Sequence, residues 1–196
     1  MIWRIGFNLL LSIAIFISSL TLLLSIYPGM MNGLAMFMGI ALLWLLLIGG
    51  IAIAAIALWL RREDSSIKWG CRRLTRILLI LTVSSCLLKF YIPLRIGFFF
   101  SHSAFERWLA AHPSSTSKPQ LIDTKFGIYQ VDEYFSGSRG DKYFRVYSHG
   151  DGLSPDTISY GFSYQPNPEG SPFGAAGYNI YQLGDGWYWF KTSNDW

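Results

Sequence analysis

The sequence predicts an α+β membrane protein, with two or three transmembrane helices followed by a small antiparallel β domain and one short amphipathic helix. Three observations predict it. Two uncharged apolar runs, residues 5–27 and 34–60, stand near the start. A strongly basic segment follows the second run. The last hundred residues are rich in glycine and tyrosine and contain strand-length segments, which is typical of β structure.

Each of the two apolar runs is long enough for a membrane helix. At 1.5 Å per residue, a helix of about 20 residues crosses a hydrocarbon core of roughly 30 Å. The residues between the runs include Pro28, Gly29 and Gly33, which are typical of a turn. We therefore predict a helical hairpin with spans at about 5–27 and 34–60.

A third apolar run, residues 77–88, is shorter and is followed by Lys89 and Pro93. A lysine at the end of a span can reach the headgroups with its flexible side chain, whereas a proline breaks or kinks a helix. We predict a short third span at about 77–94, with a re-entrant segment as the alternative. The transmembrane region then covers residues 1–100.

The segment before this third run, residues 61–76, is strongly basic and is predicted to be a loop. Its basic residues are Arg61, Arg62, Lys68, Arg72, Arg73 and Arg76. The turn at 28–33 carries no basic residue. Because loop lysines and arginines stay on the cytoplasmic side, we expect this loop and the amino terminus inside and the turn outside. With three spans the β domain is exported, and with two it stays inside. The same bases would also suit anionic lipid headgroups or a cytosolic partner.

Residues 101–119 are predicted to form the amphipathic helix and a linker. Ser103 and Glu106 have the spacing of a capping box, and Phe105, Trp108 and Leu109 fall on one helical face. The helix is expected to lie on the bilayer surface or to pack on the sheet. Proline, serine and threonine dominate residues 113–119, which indicates a linker.

The antiparallel β domain is predicted over residues 120–196, with about five strands. Turn-forming glycine, proline and aspartate separate the strand-length segments. The expected strands are 125–135, 142–148, 157–164, 178–183 and 187–192. They are expected to follow one another as a meander, which either closes as a small barrel or stays an open sheet.

Aromatic side chains are the main candidate binding feature. Trp187 and Trp189 share one face of the last strand, and Tyr160 and Tyr164 share one face of the third. A sheet covered by one helix leaves a face open, so exposed rings would suit stacking on sugars or on an extended peptide. The alternative is that these rings form the core, as most large aromatics do.

A second candidate is the glycine-rich segment around His149 and Asp151. These residues could serve a hydrolase, although adjacent positions along a chain rarely point together and turn formation explains the glycines. The sequence contains no zinc-ligand spacing and no phosphate-binding loop, so no metal and no cofactor are expected.

The functional expectation is therefore a membrane-anchored protein that presents an aromatic-rich β domain outside the cytoplasm for binding or protein interaction. The alternatives are a membrane-bound hydrolase and an accessory subunit of a larger membrane complex. The β domain has no cysteine and the chain has no N-glycosylation sequon, which favours a bacterial inner membrane. The expected partners are membrane lipid and a protein or envelope polymer. The net charge of +4 follows from the basic loop, so no nucleic-acid partner is expected.

Overall fold

The computed structural model describes residues 2–60, 67–112, 118–150 and 157–194. The chain forms two compact units. The first consists of Met1–Leu24 and Ala35–Pro93, and the second of Ser25–Leu34 and Leu94–Trp196. The turn between the first two helices therefore belongs to the same unit as the β domain.

The first unit is helical and contains α1 (Ile2–Leu24), α2 (Leu34–Leu60) and α3 (Ile67–Lys89). In the described part of the chain, α1 and α2 are each long and apolar enough to cross a membrane. The helix α3 meets the same test only when it is joined to the next helix, α4 (Ile92–Ala111), as one broken span. By length and composition the described residues therefore contain two helices that could cross a membrane, or three if this pair counts as one span.

A small buried cluster holds the three helices of the first unit together. It consists of Ala14, Ile17, Leu47 and Ile77. Trp44 donates from Nε1 to Thr21 Oγ1 at 3.3 Å, which adds a polar link between α1 and α2. Most other leucine, isoleucine and phenylalanine side chains of α1 and α2 are exposed. An apolar exterior of this extent is what a lipid environment requires.

Part of the segment predicted as the basic loop 61–76 is helical, because α3 begins at Ile67. Lysine and arginine are good helix formers, and no proline interrupts residues 67–89. Residues 61–66 lie outside the described part of the chain.

The helix predicted over 101–112 also begins earlier, since α4 starts at Ile92. The expected break at Pro93 lies instead at Phe90 and Tyr91, where Tyr91 has a φ of 54°. Pro93 stands in the first turn of α4, where its missing N–H would have had no helical acceptor. The proline therefore begins a helix here.

Within the described residues the β domain has six strands, and not the predicted five. They are β1 (Gln120–Phe126), β2 (Tyr129–Ser136), β3 (Lys142–Gly150), β4 (Thr157–Tyr164), β5 (Ala176–Gly184) and β6 (Trp187–Ser193). The segment predicted as one strand, 125–135, folds back on itself at Gly127 and Ile128. Gly127 has a φ of 61°, which a primed two-residue hairpin turn requires and which glycine adopts without strain.

The strands form an open antiparallel sheet in the order β1-β2-β3-β4-β6-β5. The expected meander is therefore wrong at its last step, because β4 pairs with β6 while β5 occupies the edge. Both β4 and β5 run antiparallel to β6, so they run parallel to each other. Parallel strands need a crossover connection, and residues 165–175 supply it by passing over one face of the sheet.

The two faces of the sheet carry separate cores. On the near face, which packs against α4, the aromatic rings of Phe144, Phe162 and Trp187 surround Phe105 of the helix. On the far face, the crossover loop covers a smaller core of Tyr143, Phe173 and Phe190. The sheet thus buries both of its faces without closing into a barrel.

A candidate binding groove on the far face of the sheet

The aromatic residues singled out from the sequence lie mostly inside the domain. Trp187 is 1% exposed, Trp189 is 7% exposed and Tyr160 is fully buried, all on the near face, while Tyr164 is half-buried. The ring of Trp189 stacks on Tyr181 with centroids 4.3 Å apart. Trp187, Trp189 and Tyr160 therefore build the core, and stacking on an external ligand would require other side chains.

Tyr160 also has a local partner in the turn between α1 and α2. Its hydroxyl accepts a hydrogen bond from Asn32 Nδ2 at 2.9 Å. Gly29 lies directly against the Tyr160 ring, and a side chain at this position would overlap the ring. The raised pKa of Tyr160, which follows from its burial, keeps this hydroxyl neutral.

Two further tyrosines, Tyr27 and Tyr129, fix the same turn. The Tyr27 hydroxyl accepts from the Gln130 backbone N–H at 2.6 Å, and the Tyr129 hydroxyl donates to the Ile26 carbonyl at 3.1 Å. The two rings contact each other, with centroids 5.3 Å apart. The turn is therefore part of the packed β domain.

His149 is half-buried, and its surroundings are aromatic. Its ring lies against Tyr160 and Tyr147, with centroids 5.8 and 5.5 Å apart, and its Nδ1 lies 2.7 Å from the Gly150 carbonyl oxygen. Asp151 lies outside the described residues. Among the described residues, Nε2 of His149 has no hydrogen-bond partner, and residues 151–156 lie outside them, so the hydrolase alternative stays a prediction.

Four of the six basic residues of 61–76 lie in the first three turns of α3. Lys68, Arg72, Arg73 and Arg76 belong to this helix, whereas Arg61 and Arg62 lie outside the described residues. Arg73 holds its guanidinium 5.1 Å from the centre of the Trp69 ring.

A polar groove of the described residues lies on the far face, beside the crossover loop. It encloses about 480 Å³, within the range of small-molecule and peptide sites. Its polar members are Glu133, Arg145 and Asn194. Its apolar members are Pro119, Pro172, Phe173 and Ala175.

Arg145 is the centre of this groove. Its Nε donates to both carboxylate oxygens of Asp132, at 3.1 and 3.0 Å, and its Nη2 donates to Glu133 Oε1 at 2.8 Å. Its guanidinium carbon lies 5.3 Å from the centre of the Phe173 ring. The Arg145 side chain is only 19% exposed, so the two carboxylates and the ring hold it in one orientation. The cluster carries a net charge of −1.

The crossover loop that forms the groove wall is anchored by Tyr143. The hydroxyl of Tyr143 donates to the Gly170 carbonyl at 3.0 Å and accepts from the Asn167 N–H at 2.9 Å. Burial raises the pKa of Tyr143, so the hydroxyl remains a neutral donor in the physiological range. The ring of Phe173 stacks on Phe190 with centroids 6.0 Å apart. The wall is therefore fixed to the sheet at two points.

The groove offers donors and acceptors next to an apolar wall. A guanidinium has five N–H groups, and in the described part of the chain Nη1 of Arg145 has no hydrogen-bond partner. Glu133 keeps a second carboxylate oxygen as an acceptor. An amide group presents one carbonyl and one N–H, so it matches this pair. No group of three metal-ligating side chains occurs among the described residues.

The two edges of the sheet are poorer candidates for a partner strand. Both β1 and β5 contain register irregularities, β1 between Leu121 and Thr124 and β5 at two places. Such bulges twist an edge away from a straight partner and are a common protection against strand addition.

Sequence reasoning missed the groove residues Arg145, Asp132, Glu133 and Phe173. Asp132 and Glu133 are consecutive in β2, and regular alternation would place them on opposite faces, yet both contact Arg145. The signal in the sequence is a pair of adjacent acidic residues inside a strand-length segment. Models of protein families, curated proteins and solved structures were all compared with the chain, and none of them matches it.

Proposed function

We propose that this chain is a membrane-anchored binding protein that presents its β domain outside the cytoplasm, with the far-face groove as the binding site. The observation that carries the proposal is the arrangement of Arg145 and Glu133. Their spare donors and acceptor stand in a preformed groove of about 480 Å³. The ligand is a protein segment or an envelope polymer that bears amide groups.

The turn between α1 and α2 supports the exported topology. This turn is packed into the β domain through Tyr27, Asn32 and Gly29. A turn and a domain that pack together lie on one side of the membrane. The domain therefore belongs on the side opposite the segment that follows α2, which requires the chain to cross once more after that segment.

The distribution of charge supports the direction. The four described bases at the start of α3 stand on the segment that follows α2, whereas the α1–α2 turn contains no lysine or arginine. Because basic residues are retained inside, the turn and the β domain are expected outside, and the plasma membrane of a bacterium fits this arrangement.

The topology is tested by fusing alkaline phosphatase after Trp196 in bacterial cells. We expect phosphatase activity, because the enzyme is active only after export. A matched fusion after Leu60 should be inactive, since α2 ends on the cytoplasmic side. Activity after Leu60 together with inactivity after Trp196 would reverse the topology and refute an exported domain.

Binding is tested with a photoreactive amino acid at Ala175, on the groove wall, in the full chain in cells. The control carries it at Ser138, in the exposed turn between β2 and β3. Purified peptidoglycan sacculi provide a second test by co-sedimentation. We expect a cross-link from position 175 alone, or co-sedimentation, and Glu133→Gln should weaken either one while it keeps the Arg145–Asp132 pair. Equal cross-linking from both positions, or no capture in either assay, would rule out the groove as the site.

A second candidate function, an accessory subunit of a membrane complex, is favoured by a cavity between α1 and α2. The cavity holds about 310 Å³ and is lined only by apolar residues, among them Gly6, Gly50, Ala54 and Ala57. Small residues of this kind let a neighbouring helix approach closely. Co-purification of another membrane protein in mild detergent, lost in Ala54→Leu and retained in Ile56→Leu, would support this function. A chain that purifies alone would count against it.

A further inference from the structure

A second polar groove lies at the start of α4, beside the turn between β5 and β6. It holds about 330 Å³. Its floor is aromatic, and it brings together one basic and one acidic residue. Its main residues are Arg95, Phe98, Phe99 and His102 of α4 with Leu183 and Asp185 of the turn.

This groove lies near the places where the chain leaves its apolar helices. The Tyr129 hydroxyl is within 3.1 Å of the Ile26 carbonyl oxygen and within 3.4 Å of the Leu94 carbonyl oxygen. Ile26 follows α1 by two residues, and Leu94 follows α3 by five residues. Arg95, the first groove residue, comes directly after Leu94. Along the chain, this end of the β domain therefore begins a few residues after an apolar helix.

The exposed side of α4 changes character along its length. Ile96, Phe99 and Phe100 are 51%, 75% and 72% exposed. The exposed positions one turn later are polar, namely Ser103, Glu106 and Arg107. Phe100 lies eight residues after the start of the helix, about 12 Å along its axis. Exposed phenylalanine and isoleucine side chains of this kind are typical of the apolar face of a helix at a membrane interface. The exposed side of the first half of α4 is therefore suited to contact with lipid.

The charged side chains of the groove select the kind of lipid. Arg95 is held by a hydrogen bond from Nη2 to the Gln182 carbonyl oxygen at 2.8 Å. Asp185 is exposed, and among the described residues it forms no ion pair with Arg95 or with any other base. A cation and an unpaired carboxylate in one groove match a headgroup with both a phosphate and an amine.

We propose that this groove binds the headgroup of a zwitterionic phospholipid with a primary amine, such as phosphatidylethanolamine. The phosphate bonds to Arg95, and the ammonium donates hydrogen bonds to Asp185. The acyl chains pack along Ile96 and Phe99. A quaternary amine has no N–H to donate, and a purely anionic headgroup is repelled by Asp185. The site is separate from the far-face groove and does not depend on its ligand.

The test uses the full chain, delipidated in detergent and examined by native mass spectrometry. Dioleoyl phosphatidylethanolamine, phosphatidylcholine and phosphatidylglycerol are added singly at equal concentration. Soluble phosphoethanolamine is the fourth addition and separates a lipid site from a free phosphate site. We expect the wild type to retain phosphatidylethanolamine about tenfold better than phosphatidylcholine, which corresponds to about 1.4 kcal/mol.

Two groove variants and two controls decide the result. Asp185→Asn should remove the preference for the primary amine, and asparagine tolerates the φ of 51° at this position, so the turn is retained. Arg95→Gln should weaken all three lipids. The controls Arg107→Gln and Glu169→Gln change a charge outside the groove and should behave as the wild type.

Three results would overturn the proposal. They are equal retention of the three lipids by the wild type, an unchanged preference in Asp185→Asn, and binding of phosphoethanolamine as tight as that of the lipid. If Arg95→Gln fails to fold, as judged by near-ultraviolet circular dichroism, the Asp185→Asn comparison still decides the outcome.

Discussion

Removing the Arg145 side-chain charge should destabilise the β domain strongly, because it leaves two carboxylates facing each other without their cation. The change is Arg145→Met, which keeps an apolar stem of similar length. Three hydrogen bonds of 2.8–3.1 Å to carboxylates are lost. Such charge-assisted bonds contribute about 1.5–3 kcal/mol each when they are well shielded.

The exposure of the partners reduces this sum. Asp132 is 36% exposed and Glu133 is 21% exposed, so water can replace part of what Arg145 supplies. We therefore expect a loss of about 3 kcal/mol in the free energy of unfolding. For a domain of about 100 residues this lowers the Tm by roughly 12–24 °C.

The assay is thermal unfolding of the full chain in detergent, followed by near-ultraviolet circular dichroism. The matched comparison is a triple variant, Arg145→Met with Asp132→Asn and Glu133→Gln, in which no charge remains. Removing the uncompensated carboxylates should restore most of the loss, to within about 1 kcal/mol of the wild type. If Arg145→Met melts within 3 °C of the wild type, or the triple variant melts as low as the single one, the reasoning about the ion cluster is wrong.

Three further predictions follow from the packing. Gly161→Ala should lower the free energy of unfolding by about 1–3 kcal/mol, measured by a thermal melt, because the new methyl group would overlap the Phe144 carbonyl oxygen. The control Gly6→Ala lies at an open position and should melt as the wild type. Equal melting of the two variants would contradict the close approach of Gly161 to Phe144. Asn32→Ala should remove the hydrogen bond to Tyr160 and loosen the turn between α1 and α2, which is measured as faster amide hydrogen exchange at residues 28–33. Unchanged exchange there would count against the packing of this turn on the β domain. The domain should also lose stability above pH 10, because burial raises the pKa of several tyrosines above 10.0. The unfolded chain then loses these protons at a lower pH than the folded domain does, so unfolding becomes easier as the pH rises. A denaturant midpoint that is flat from pH 9 to 11 would refute this.

The apolar helices were predictable because their signal is local. An uncharged run such as 34–60 needs no distant partner to become a helix in lipid, and the structure places α2 over these same residues. The start of α3 was less predictable, because charge patterning distinguishes the cytoplasmic side from the membrane but does not separate a loop from a helix.

The hairpin at Gly127 shows why one strand was expected where two exist. Residues 125–135 contain no proline and one glycine, and a single glycine is a weak turn signal. The close contact that requires glycine at position 127 is made with a residue that is distant in the sequence. A side chain at position 127 would meet Ser101 of α4, and that contact is visible only in the folded domain.

The groove was beyond sequence reasoning for the same reason. Arg145 and Glu133 are direct partners on β3 and β2, whereas Phe173 reaches them on the crossover loop, which exists because of the order β4-β6-β5. A meander would have left no crossover loop, and the far face would have lacked its wall. The aromatic residues, by contrast, were predicted as a binding feature because they are numerous, and most of them lie in the core.

The position of β6 has a consequence for how the domain is assembled. Synthesis delivers β5 before β6, yet β6 is the strand that joins β5 to the rest. Within this sheet, the edge strand has nothing to pair with until its successor inserts between it and β4. Nascent chains should therefore remain protease-sensitive until that insertion occurs, and shortening the protein by this one strand would divide the sheet in two.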